Sequence, residues 1–74
     1  MSRLPVVSGQ EVVKALKKVG YDFDYKSSSH IILRQVLPPH RRLTVPDHDV
    51  VAKGTLRAII RQAGLSVDEF RRLL

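Results

Sequence analysis

The sequence predicts an α+β domain with the element order α-β-β-β-α-α, a three-stranded antiparallel sheet packed on helices. Three observations predict it. Two Ser-x-x-Glu boxes, Ser8 to Glu11 and Ser66 to Glu69, stand ahead of apolar residues at helical spacing. Between them, three short runs of strand-forming residues are separated by brief turn signals. A further stretch, GTLRAIIRQAG, carries its apolar residues at i, i+3, i+4 and i+7.

The first helix follows Ser8, whose hydroxyl caps the third amide while Glu11 reaches back. Val12, Val13, Leu16 and Val19 form its apolar face, and Gly20 supplies a left-handed stop. Lys14, Lys17 and Lys18, on or beside the opposite face, read as a solvated surface. YDFDYK alternates, which places Tyr21, Phe23 and Tyr25 on one side of a strand. Ser27 to Ser29 make the turn, because short hydroxyl side chains bond the local backbone.

HIILRQVL is the second strand, with Ile31 and Leu33 on one face and His30, Ile32 and Arg34 on the other. PPHR is a tight connection to a third strand, Arg42 to Val45, closed by Pro46. Strands this close in sequence pair most simply as an antiparallel meander. DHDVVAK is a polar loop, after which Leu56, Ile59, Ile60 and Ala63 line a second helix ending at Gly64. Val67, Phe70 and Leu73 are the apolar face of a short last helix. Amphipathic helices cover one sheet face and leave the other to solvent.

Seventy-four residues make a single domain, 1–74, with no room for a separate cofactor domain. An apolar content of 43% favours a globular chain over a disordered tail. The absence of cysteine excludes disulfides and thiolate metal sites. No apolar run approaches a bilayer span and MSRLPVVSG lacks a signal-peptide core, so a soluble, cytoplasmic protein without a membrane partner is expected. The formal charge of +6, from 13 Lys+Arg against 7 Asp+Glu, suits a polyanion or an acidic protein.

Most site types are missing: there is no glycine-rich phosphate loop, no zinc-type cysteine or histidine pair and no paired carboxylates within a plausible cleft. Asp47, His48 and Asp49 are neighbours in a loop and do not fix a metal geometry, so neither metal nor cofactor is expected. Of the three histidines, His40 reads as an exposed turn residue. His48 reads either as a loop-fixing hydrogen-bonding group or as a proton carrier. His30 opens a strand where a β-branched or aromatic residue would be ordinary, and pattern alone leaves open whether it is structural or reactive.

A basic chain with one usable histidine suits RNA, which carries its own nucleophile, the 2′-OH, beside each phosphate. Histidine can take that proton or protonate the leaving oxygen. Arg34 on the strand face of His30, Lys53 and the amides near Gly54 are candidates for the phosphate charge. DNA has no 2′-OH, so this chemistry excludes it as a substrate of the chain alone.

Four patches then resemble one family in its own order: VSGQEVVKALKKVGY, Ser29-His30 opening a strand, TVPDH from Thr44 to His48, and KGTLRAIIRQAGLSVDEF from Lys53 to Phe70. They are similar to the HicA (YcfA-like) toxins of toxin–antitoxin pairs, over essentially the whole chain. The resemblance implies a fold like the double-stranded-RNA-binding domain and an mRNA interferase that cuts mRNA without a ribosome. It also implies a HicB-type antitoxin covering the active site. The family's catalytic histidine falls on His30 and the serine before it on Ser29. Two positions depart from the family pattern: Ser28 stands where glycine is usual, and Tyr25 where a basic residue is common. A non-catalytic RNA-binding module and a protein-interaction domain for an acidic partner are the competing readings.

Overall fold

The computed structural model describes residues 3–74, which form α1 (Gly9–Lys17), β1 (Tyr21–Ser27), β2 (His30–Gln35), β3 (Arg42–Pro46), α2 (Lys53–Gln62) and α3 (Val67–Arg72). Element order and fold class are those the sequence predicts. The strands form one antiparallel meander in the order β1-β2-β3. Among the described residues, no helix is long and apolar enough to cross a membrane.

Both predicted capping boxes form. The Glu11 amide donates to Ser8 Oγ at 3.1 Å, and Ser8 N–H returns a bond to Glu11 Oε1 at 2.9 Å. Ser66 and Glu69 repeat the exchange at 2.9 and 3.1 Å. Two orphan amides at each helix start are thereby satisfied. The start of α2 differs: Ala52 is its N-cap, no side chain caps it, and its first turn has no carboxylate.

The core lies on one side of the sheet. Ile31 and Leu33 of β2 and Leu43 and Val45 of β3 meet Val12 and Leu16 of α1, Leu56, Ile59 and Ile60 of α2, and Phe70 of α3. His30, Ile32 and Arg34 point the other way, as their alternation with Ile31 and Leu33 requires.

Three local expectations fail, each for a backbone reason. Val19, placed on the α1 apolar face, is 37% exposed because the helix ends at Lys17 and Gly20 turns the chain away at φ +94°. Val36 and Leu37, read as strand, lie beyond it and are exposed. The Val36 amide still donates to Gly20 O at 2.9 Å, in register with the Tyr21–Gln35 pair, and the turn that follows, with His40 N–H on Leu37 O and His40 at φ +58°, carries the chain out of the sheet. Tyr21, Phe23 and Tyr25 do not share a face. Phe23 pairs with Leu33 but Tyr25 with Ile32, so a β-bulge at Asp24 breaks the alternation between them.

Candidate functional site

An open groove of about 710 Å³ runs between the uncovered face of β2–β3 and one side of α2, from Ala52 at its start to Gln62 at its end. His30, Arg42 and Thr44 come from the sheet, His48 from the following loop, and Gly54 and Thr55 from the helix.

Each contributor is placed by identifiable bonds. His30 is the first residue of β2, paired with Ser27 across the hairpin and with Pro46 of β3. The Asp47 amide donates to Ser29 O at 2.7 Å, which joins the hairpin turn to the end of β3. The next residue, His48, is held by its backbone, whose carbonyl accepts from Gly9 N–H at 2.9 Å. Gly9 is buried, and a Cβ there would strike the Pro46 carbonyl oxygen and lie 3.1 Å from Asp47 Cα. Only glycine allows α1 to begin this close to the loop that carries His48.

Asp47 closes the arrangement. Its carboxylate accepts from Lys26 Nζ at 2.7 Å and from Gln10 Nε2 at 3.2 Å, binding β1 and α1 to the loop. These bonds, with Lys26 the largest influence, hold the Asp47 pKa below the usual carboxylate range. A depressed folded pKa means the clamp is intact at neutral pH and is lost as pH falls through the lowered value.

The imidazoles of His30 and His48 are exposed, and among the described residues neither ring is engaged in a hydrogen bond within the chain. The loop-fixing bond considered for His48 is thus made by its backbone and not by its ring. His40 is exposed in the 36–41 turn, at φ +58°, with Nδ1 3.1 Å from Gln35 O.

Not all the predicted residues converge. Ser29 lies in the turn just before His30. Arg34 shares the face of His30 but sits four residues along β2, roughly 13 Å away, over a smaller depression of about 370 Å³ with Asp22 and His40. Lys53 is exposed in the first turn of α2 and does not line the groove. Arg42, opposite Arg34, takes the place beside the groove, its Nε 3.2 Å from Asp24 Oδ2. Two like charges face each other there, offset by Asp22 opposite Arg34 and by Asp24 beside Arg42. Arg42 was readable in the sequence: if Leu43 and Val45 face inward, Arg42 and Thr44 face outward.

The hairpin before His30 has a two-residue loop, Ser28-Ser29, and Ser28 has φ +56° while Ser29 is not left-handed. A positive φ at the first loop position alone has the sign pattern of a type II′ turn, in which glycine is strongly preferred. A serine Cβ is strained there, so Ser28→Gly should stabilise the protein by about 1 kcal/mol, net of the larger unfolded-state entropy of glycine. Thermal unfolding should show a rise of about 4–8 °C for that gain in a domain of this size. A Tm unchanged or lowered would mean that the strain at the serine does not exceed the entropy cost of glycine.

Residues 9–65 match a family model described as HicA toxin of bacterial toxin-antitoxin. No curated protein matches the chain.

Proposed function

The chain belongs to the HicA toxin family of bacterial toxin–antitoxin systems, and from that premise we propose that it is a ribosome-independent endoribonuclease acting on mRNA. The toxin role and the need for an antitoxin partner come with the family. The observation that carries the nuclease reading is that His30 and His48, from different elements, open onto one groove beside Arg42 and an uncapped helix start.

In this reading a ribose 2′-OH attacks the adjacent phosphorus and the bond to the 5′-oxygen breaks, leaving a 2′,3′-cyclic phosphate and a 5′-hydroxyl. His30 carries one of the two protons, either from the 2′-OH or to the leaving oxygen, and His48 serves as the accessory carrier. Charge on the phosphorane is met by Arg42 and by the free amides at the start of α2, which point their donors out of the helix. Ser29 and Lys53 flank the groove as further backbone contacts, and Arg34 extends the basic face beyond it. No metal or cofactor is needed for this route. A HicB-type antitoxin that covers the groove would silence the chain.

The test is a substrate change. RNA bearing a single 2′-deoxy nucleotide at the cut site should resist cleavage there, while the unmodified RNA gives a cyclic-phosphate end. Equal cutting of both would exclude attack by the 2′-OH.

A further inference from the structure

The bulge in β1 re-aims a side chain. With Asp24 inserted, Tyr25 leaves the helix side of the sheet and joins the open face, opposite Ile32 and next along from His30. Tyr25 and His30 are diagonal neighbours across the β1–β2 pair, roughly 7–8 Å apart by ladder geometry. Ile32 is only 9% exposed, but Tyr25 remains 51% exposed. The Asp24–Arg42 pair spans β2 on the same face. The face therefore presents a flat aromatic ring and a histidine together, beside an Arg42 guanidinium paired with Asp24, on a chain of net charge +6.

We infer that Tyr25 is a stacking platform for an unpaired base of the RNA beside the scissile phosphate, which makes single-stranded RNA the substrate class. The inference rests on the RNA reading of the groove and adds to it the residue and the state of the RNA. Bases inside a duplex stack on one another and show no free face, and A-form helices are contacted by shape. A tyrosine ring can accept any unpaired base, while the positive charge of the chain attracts the backbone.

The test is binding by the full chain of a 2′-O-methyl oligoribonucleotide, which has no free 2′-OH and is not cut. Tyr25→Phe should bind within about twofold of the native protein, and Tyr25→Leu about tenfold more weakly. A duplex of the same sequence should bind independently of residue 25, and thermal melts of both variants check the fold. Native-like binding by Tyr25→Leu, or an equal loss on the duplex, would overturn the platform. The two readings fail separately. If Tyr25→Leu weakens binding but no RNA is ever cut, the platform stands and the nuclease reading falls. If cutting needs the 2′-OH but binding ignores residue 25, the reverse holds.

Discussion

His30→Ala should fold like the native chain and cut RNA about 10²–10⁴ times more slowly, the usual worth of one positioned proton carrier. Folding should survive because the side chain is exposed and its ring has no hydrogen bond among the described residues. Such a truncation at the surface is worth within about 0.5 kcal/mol. Loss of cleavage together with a native melting curve therefore isolates chemistry from structure. His48→Ala should also slow cutting. If the two imidazoles serve one transfer, the double variant should be little worse than the worse single one, since groups acting as a unit are not additive. Growth inhibition on expression should disappear in parallel. A His30→Ala protein that cuts within a factor of two of the native rate would remove His30 from the mechanism.

What the sequence made legible was local. A capping box needs only a serine, a glutamate and their spacing, so Ser8–Glu11 and Ser66–Glu69 were readable before any tertiary contact was known. The inward face of β2 was readable too, because Ile31 and Leu33 alternate with polar neighbours. The bulge at Asp24 was not. Tyr-Asp-Phe-Asp-Tyr alternates perfectly, and only the register against Leu33 and Ile32 shows that one residue of β1 has no partner. Register is a property of two strands, which a pattern within one cannot display. The same limit applies to the site. Sharing a strand face brought Arg34 to notice, but a face is long, and the packing of α2 beside β3 decides which end becomes a groove. That His48 lines the same groove as His30 likewise depends on Gly9 meeting Pro46, a contact between residues far apart in the chain. The strain at Ser28 was half legible: glycine in relatives marked the position, and the turn's φ gives the reason.

Phe70→Ala should cost about 3–5 kcal/mol, the range for deleting a fully buried aromatic side chain. The family match ends at residue 65, so α3 lies outside it, yet Phe70 is 0% exposed and belongs to the same core as Leu16, Leu33 and Leu56. α3 is also tied down at its edges. Lys18 Nζ donates to Leu73 O at 2.7 Å, and Arg71 Nη1 to Arg3 O at 3.0 Å. Those exposed bonds are worth little beside the ring. A chain of this length has roughly 4–11 kcal/mol of stability in all, so the loss should leave the fold marginal. Urea unfolding should show a large fall in midpoint with the slope m retained, as in a single cooperative unit. Acid gives an independent handle on the same helix. Bonds from the backbone and side chain of Ser66 depress the Glu69 pKa, so the cap contributes at neutral pH and is lost as pH falls through the folded value. Phe70→Ala, by contrast, should destabilise at every pH. A cost below about 1 kcal/mol would mean that α3 rests on a core complete without it, and that residues 66–74 lie outside the cooperative domain proposed for 1–74.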